Sequence, residues 1–307
     1  MADIILHHYP ASLFSEKIRL LLGCLGLSWK SVLIPPIMPR PHLMPLTGGY
    51  RRTPVMQEGA DVYCDTKIIA ERLAARAGRP EIHAGFVAHR VAEWADSHLF
   101  RVAVAVMFQP RAIGETMKNL DNADIAAFQK DRAELTQGAP IVTIPPEAAE
   151  THLVHYLAEL DAALQGREFL FGKVPTIADF SVFHCLWFVG NNAVVAPLLE
   201  DHPSLGAWRR RMTGFGHGTS AAMDAEKALR IGTDASPGLP PLGEPVSLSG
   251  LEPGRQVAVS ALDYGRVPIT GELVACTTRE VAVRRQDPTA GEIVAHFPRQ
   301  GFGVAPA

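Results

Sequence analysis

The chain has 307 residues, with 29 Lys and Arg against 32 Asp and Glu, and a formal net charge of -3. This length can hold two or three domains with sizeable cores. The charge balance argues against nucleic acid as a partner, because binding a phosphate backbone needs clustered positive charge. The sequence has no apolar run of membrane length, and its N-terminus lacks the basic region of a signal peptide, so we expect no membrane partner and a cytoplasmic location.

The first strand-to-helix junction carries a hydroxyl group. The apolar residues 4–6 predict a strand, and apolar residues at helical spacing from Phe14 onward predict a helix that ends near Gly26. Ser12 is therefore expected at a helix N-terminus, where free backbone N–H groups and the helix dipole favour an anion such as a thiolate. A simple N-cap is the commoner role for such a serine.

A β-hairpin and a second helix are predicted after residue 52. Pro54 opens a short strand, residues 58–61 form a turn, and residues 62–64 return as the next strand. Asp65 and Thr66 then stand where a helix begins. A proline at the start of a strand cannot donate to the sheet, which is tolerated where that edge is free or faces a ligand.

With these segments the chain resembles the glutathione transferase family, whose N-terminal domain is thioredoxin-like. In serine-type and cysteine-type members the active residue precedes a basic-aliphatic-basic triplet by five residues, and Ser12 precedes the triplet that begins at Lys17 by the same interval. The resemblance therefore implies that Ser12 is the catalytic residue. Tyr9 is the alternative, because some members use a tyrosine at the end of the first strand.

The resemblance also implies a set of glutathione-binding residues. Arg52 stands where a basic side chain often meets the glycyl carboxylate, and Thr53 with Pro54 where the backbone pairs with the cysteinyl part. Asp65 and Thr66 match the acidic-plus-hydroxyl pair that holds the γ-glutamyl group. Threonine instead of serine at this pair, and the proline-rich loop over residues 35–50, depart from the usual pattern.

The implied activity is that of a transferase with glutathione as its co-substrate. Its thiol, once activated, would attack an electrophilic small molecule, and the family pattern implies a homodimer. A protein that keeps the fold without turnover, as a glutathione-binding or protein-interaction module, is the alternative, because fold does not fix function.

The middle of the chain is predicted to be helical from about residue 84. Thr176 and Asp179 form a capping box, in which the threonine hydroxyl and the carboxylate each accept a backbone N–H at the start of a helix. The same box occurs in the helical second domain of the family. We therefore predict a thioredoxin-like α/β domain over residues 1–80 and an all-α domain over residues 84–232.

The last part of the chain departs from that pattern. Residues 233–245 are rich in proline and glycine and predict a linker. Beyond it, residues 256–262, 267–276, 279–285 and 292–297 have strand character. They predict that residues 246–307 form a small antiparallel β barrel or roll, and that residues 1–235 fold without it. The whole arrangement looks like that of a bacterial and fungal subgroup with an extra C-terminal β module.

The cysteines and the paired histidines do not indicate a metal site. Four cysteines lie far apart and include no Cys-x-x-Cys pair, so neither a disulfide framework nor a zinc site is suggested. His7 and His8 are neighbours on a strand and point to opposite faces, so they cannot easily share one ion. We expect no metal.

Overall fold

The structure, a computed structural model, describes residues 2–140, 143–246 and 251–307. The strands are β1 (Ile4–His8), β2 (Ser28–Leu33), β3 (Val55–Glu58), β4 (Asp61–Cys64), β5 (Thr219–Ala222), β6 (Gln256–Ala261), β7 (Ile269–Cys276), β8 (Glu280–Asp287), β9 (Gly291–Pro298) and β10 (Phe302–Pro306). The α-helices are α1 (Leu13–Cys24), α2 (Met44–Thr47), α3 (Thr66–Arg76), α4 (Phe86–Trp94), α5 (Phe100–Met107), α6 (Ile113–Thr116), α7 (Asn122–Thr136), α8 (Pro146–Ala163), α9 (Ile177–Gly190), α10 (Pro203–Gly214) and α11 (Ala225–Asp234).

The first domain has the predicted α/β architecture. Strand β1 pairs in parallel with β2 and antiparallel with β3, and β3 pairs antiparallel with β4. Helix α1 begins after Ser12, whose hydroxyl accepts the Ser15 N–H at 3.1 Å. It ends before Gly26, whose φ of 64° is the left-handed conformation expected at a helix C-terminus. Helix α3 begins after Asp65, whose carboxylate accepts the Lys67 N–H at 2.9 Å.

The second domain is helical, as predicted. Helices α4 and α5 are joined by a π-helical turn over Ala95–Leu99, so that residues 86–107 form one long helix. The capping box at the start of α9 is confirmed, because the Asp179 carboxylate accepts the Thr176 N–H at 2.8 Å. Asp179 also accepts the indole N–H of the buried Trp208 at 2.9 Å, which ties α10 to α9.

The C-terminal strands confirm the antiparallel β module and also extend the sheet of the first domain. The order is β10-β6-β7-β8-β9-β4-β3-β1-β2-β5. The two parts meet where β9 pairs in parallel with β4, with Tyr63 opposite His296. The module is therefore an open half of one sheet, and β5 and β10, which were not predicted, lie at the two edges.

The module shares a hydrophobic core with the first domain. One buried cluster contains Tyr50 and Val62 of the first domain together with Ile293, Phe297 and Phe302 of the module. The rings of Phe297 and Phe302 lie 6.0 and 6.3 Å from that of Tyr50. The segment predicted as a linker is also attached, because the N–H groups of residues 238 and 239 donate to the Asp61 carboxylate at 3.0 and 3.3 Å.

The described residues lack two features that would indicate a membrane or a metal ion as a partner. Within residues 2–140, 143–246 and 251–307, no helix has both the length and the apolar character needed to cross a membrane. In the same ranges, no group of three or more His, Cys, Asp or Glu side chains is placed to hold a metal ion.

Candidate active site

A cavity of about 110 Å³ lies where the first domain, the long helix of the second domain and the β module meet. Its lining includes Arg52, Thr53, Pro54, Asp65 and Thr66, which are all of the predicted glutathione-binding residues. The other lining residues are Phe14, Tyr50, Lys67, Glu93, Asp96, Ser97, Asp263, Tyr264, Gln300, Gly301 and Phe302. The structure thus gathers the five binding residues, which come from two separate segments of sequence, around one space.

The two candidate catalytic residues lie outside this lining. Ser12 is 3% exposed, and its N–H donates to the Tyr9 carbonyl at 3.2 Å. Its hydroxyl oxygen accepts the Ser15 N–H, which leaves the hydroxyl hydrogen available to a further acceptor. Tyr9 is half-buried, and Phe14 is the residue of this segment that faces the cavity. The choice between Ser12 and Tyr9 stays a prediction.

Arg19 fixes the loop that carries both candidates. Its guanidinium donates to the Tyr9 and Pro10 carbonyls at 3.3 and 3.0 Å, and it pairs with Glu16 at 2.7 Å. This contact gives a physical role to one basic residue of the triplet that begins at Lys17. A fixed loop holds Ser12 at the start of α1.

The other basic residue of the triplet lies under the cavity. Lys17 is fully buried, and its Nζ lies 2.6 Å from Asp96 on the π-helical turn and 3.5 Å from the Thr66 hydroxyl. Asp96 also accepts from His184 at 3.0 Å. Burial alone would raise the pKa of Asp96, but Lys17 and then His184 outweigh it and hold that pKa well below its usual range. The ionised Asp96 thereby joins α1 and α9 to the long helix beneath the site, and Lys17 adds α3 through the Thr66 hydroxyl.

Arg40 holds the backbone around Pro54. It is almost fully buried, and its guanidinium donates to the Arg51 carbonyl at 2.7 Å and the Thr53 hydroxyl at 3.1 Å. It also donates to the carbonyls of residues 35 and 36, both at 2.9 Å. The peptide bond between Thr53 and Pro54 is cis. The only sequence signal for Arg40 was its place in the proline-rich loop.

Asp65 presents a carboxylate at the N-terminus of α3. One oxygen accepts the Lys67 N–H, and the other lies 3.8 Å from the Arg52 guanidinium. Its φ of 97° is a conformation that side chains other than Asn, Asp and Gly rarely adopt. Cys64, next to it, is fully buried, and burial followed by the Asp65 charge raises the pKa of its thiol, which keeps it protonated and unreactive.

The β module supplies one wall of the cavity, which no sequence pattern indicated. The Arg52 guanidinium donates to the Asp263 carboxylate and to the Tyr264 carbonyl, and it lies 4.0 Å from the centre of the Tyr264 ring. The turn between β9 and β10 contributes residues 300–302. In the sequence, residues 263–265 indicated only a turn.

A second cavity, of about 300 Å³, lies beside the first and shares Lys67, Glu93, Asp96 and Gln300 with it. Its further lining is rich in basic and imidazole side chains, namely Lys17, His83, His89, Arg90, Arg279 and Arg299, with Glu71 among them. Several of these charges are paired, as in the contact of Lys67 with Glu93 at 3.7 Å.

Comparison with known proteins agrees with this fold. The family models described as glutathione S-transferase, N-terminal domain and C-terminal domain, match residues 6–81 and 124–211. A GST-like protein from Pseudomonas syringae is 39% identical, with a TM-score of 0.82, over 99% of this chain and 100% of that one. The chain therefore belongs to the glutathione S-transferase family.

More distant structures share the fold alone. A glutathione S-transferase from Rhodospirillum rubrum is 18% identical, with a TM-score of 0.51, over 68% of this chain and 87% of that one. None of the curated proteins compared matches the chain.

Proposed function

We propose that this protein binds glutathione in the smaller cavity and activates its thiol for attack on an electrophilic small molecule. The observation that carries the proposal is the convergence of Arg52, Thr53, Pro54, Asp65 and Thr66 on one cavity in a chain that belongs to this family. These residues offer a cation, a free backbone edge, an anion and a hydroxyl. Glutathione has a complementary carboxylate, peptide and ammonium group.

Each charged group of glutathione pairs with a residue of opposite charge. The Asp65 carboxylate pairs with the γ-glutamyl ammonium, beside the Thr66 hydroxyl, and the Arg52 guanidinium donates to the glycyl carboxylate. The backbone of Thr53 then pairs with the cysteinyl part, which directs the thiol toward the start of α1. Ser12 caps α1 two residues before Phe14, which lines the cavity.

Activation of the thiol needs a modest electrostatic effect. A free thiol has a pKa of about 8.5, and lowering it by one unit takes about 1.4 kcal/mol of preferential stabilisation of the thiolate. One hydrogen bond from the Ser12 hydroxyl together with the N-terminus of α1 supplies about one to two such units. The thiol proton passes to water, and the thiolate sulfur bonds to the electrophilic carbon as the leaving group or the π-electron pair of that carbon is displaced.

A second candidate function is glutathione binding or protein interaction without turnover. Two observations favour it. The cavity of about 110 Å³ is smaller than the ~300–1,000 Å³ of typical ligand sites, and Arg52 already has a carboxylate partner in Asp263. Neither candidate catalytic residue lines the cavity.

The test compares the parent with Ser12→Ala and Tyr9→Phe. Glutathione affinity is measured by titration calorimetry, and turnover is measured with a panel of electrophiles. We expect Ser12→Ala to lower turnover about tenfold or more with glutathione affinity unchanged, because the lost bond is specific to the thiolate. Tyr9→Phe tests the alternative catalytic residue with the same two measurements.

The outcomes separate the two candidate functions. Loss of turnover in Tyr9→Phe but not in Ser12→Ala would transfer the catalytic role to Tyr9. A parent that binds glutathione but turns over no electrophile would favour the non-catalytic function. The homodimer remains a proposal from the family pattern, which sedimentation equilibrium tests, and the cytoplasmic location remains a proposal from the sequence.

A further inference from the structure

The loop between β6 and β7, residues 262–268, crosses the edge of the smaller cavity and contacts Arg52 directly. The Arg52 guanidinium donates to the Asp263 carboxylate and the Tyr264 carbonyl and stacks on the Tyr264 ring. The side chain of Arg52 is only 12% exposed, whereas that of Asp263 is 48% exposed. This β6–β7 loop therefore places an accessible carboxylate on a nearly buried cation.

The same loop is attached to two other parts of the molecule. The Gly265 N–H donates to the Leu135 carbonyl at the end of α7 at 2.8 Å, and the Leu262 N–H donates to the Gly301 carbonyl at 3.0 Å. A Cβ at Gly265, where φ is 60°, would lie 3.2 Å from the Leu135 side chain. The loop thus connects the first domain, the helical domain and the β9–β10 turn around the cavity.

The two carboxylates next to Arg52 differ in their other contacts. Asp65 lies 3.8 Å from Arg52 and is also held by the Lys67 N–H. Among the residues that the structure describes, Asp263 bonds through its carboxylate to Arg52 alone. A ligand carboxylate can therefore replace Asp263 on Arg52. This exchange leaves Arg52 paired and releases the exposed Asp263 side chain to water.

We propose that Asp263 is a built-in competitor for the carboxylate of the ligand, and that the β6–β7 loop is an autoinhibitory contact which glutathione displaces from Arg52. This inference rests on the proposed function, in that glutathione is taken as the ligand. It also accounts for the small volume of the cavity, because the loop occupies the space on the Arg52 side. Binding then includes the exchange of one carboxylate for another on the same guanidinium.

The test uses the full chain, two ligands and two variants. Asp263→Asn removes the competing charge but keeps the shape of the side chain and the backbone contacts at Tyr264 and Gly265. Glu292→Gln removes one charge from an exposed residue that lines neither cavity, and it is the matched control. The ligands are glutathione and glutathione amide, in which the glycyl carboxylate is replaced by a neutral carboxamide.

We expect Asp263→Asn to tighten glutathione binding at least about threefold, and to change the affinity for glutathione amide less than about twofold. Glu292→Gln should change neither the affinity for glutathione nor that for glutathione amide. The physical reason is that only a ligand carboxylate competes with Asp263 for Arg52. Equal tightening of both ligands, or no tightening of either, would overturn the competition.

Hydrogen exchange provides a second measurement that does not depend on affinity. On addition of glutathione to the parent, the amide of Gly265 should exchange faster, because displacement of Asp263 loosens the β6–β7 loop. Unchanged or slower exchange in the glutathione-bound parent would contradict the displacement while leaving the proposed function standing. If glutathione binds neither the parent nor Asp263→Asn at millimolar concentration, the proposed function fails, and the proposal for Asp263 fails with it.

Discussion

Asp65 combines two roles that a substitution can separate. Its carboxylate caps α3 through the Lys67 N–H, and it also offers a negative charge at the edge of the cavity beside Arg52. Its φ of 97° means that alanine would add backbone strain to the loss of the charge. Asparagine keeps the shape of the side chain and an oxygen that can accept the Lys67 N–H, so it isolates the charge.

We predict that Asp65→Asn weakens glutathione binding about tenfold or more. The lost contact with the γ-glutamyl ammonium is charge-assisted, and such a bond typically contributes about 1.5–3 kcal/mol. Titration calorimetry measures the affinity, and thermal unfolding should show little change because the cap remains. An unchanged affinity would mean that Asp65 acts only as a helix cap.

The triplet that begins at Lys17 shows that a residue pattern can indicate a family without indicating the contacts of its residues. Its spacing from Ser12 led to the family, but its contacts follow only from the structure. Lys17 pairs with Asp96, which is 79 residues away, and Arg19 holds the loop before α1. Arg40 had no comparable pattern, because three of its four partners are backbone carbonyls, which every residue type carries.

Among the elements, the junction of β4 with β9 is held by a buried histidine as well as by backbone pairing. His296 Nδ1 lies 2.5 Å from Glu280 and Nε2 lies 2.9 Å from Asp61, and the ring stacks on Tyr63 at 4.4 Å. Two carboxylates on one ring favour the doubly protonated imidazolium. Burial lowers the pKa of His296, but the hydrogen bonds to Asp61 and Glu280 outweigh it, so the net pKa is raised.

We predict that His296→Gln lowers the free energy of unfolding by about 3 kcal/mol at pH 6, because it leaves two buried carboxylates without their cation. A histidine whose pKa is raised in the folded state stabilises that state fully at pH values below its unfolded pKa of about 6.5. This stabilisation is lost as the pH rises through the folded-state pKa. The difference in unfolding free energy between parent and variant should therefore narrow as the pH rises above about 6.5. Urea unfolding of the parent and the variant at a series of pH values measures this difference in free energy.

The control for this prediction is His155→Gln, because His155 is an exposed histidine on α8 whose side chain is 66% exposed. Its unfolding should follow the parent at every pH. A constant difference between the parent and His296→Gln across the range would show that His296 contributes by packing alone.

For the whole molecule, the continuous sheet changes what a truncation should do. The linker composition predicts that residues 1–235 fold alone. In the structure, the β module covers the edge of β4 and buries Tyr50 against Phe297 and Phe302. An uncovered strand edge beside an exposed apolar surface promotes association between chains.

We therefore predict that the chain truncated after Ala235 is insoluble or associates into oligomers, with a lower unfolding midpoint than the parent. Size-exclusion chromatography and circular dichroism measure these properties. The control is co-expression with residues 236–307, which should restore solubility if the β4–β9 pairing re-forms. A soluble truncated chain with the unfolding midpoint of the parent would instead support the separable module that the linker composition predicts.

The features that the sequence determined by itself are local ones. The starts of α1, α3 and α9 follow from Ser12, Asp65 and Thr176, because a capping side chain bonds to N–H groups only two or three residues away. The alternating pattern of β6–β9 was likewise visible, since side chains on a strand face opposite sides in turn. Strand β5, exposed throughout, had no such pattern.

Only the tertiary structure decided what those elements pair with. Strand β9 joins β4 across more than half of the chain, and Arg52 meets Asp263 at a separation of 211 residues. Such contacts depend on which sheet edge is left free and on the core that forms beneath it, and no short segment encodes either. For this reason the candidate glutathione-binding residues of the first domain could be proposed from sequence, whereas the wall that the β module contributes to their cavity could not.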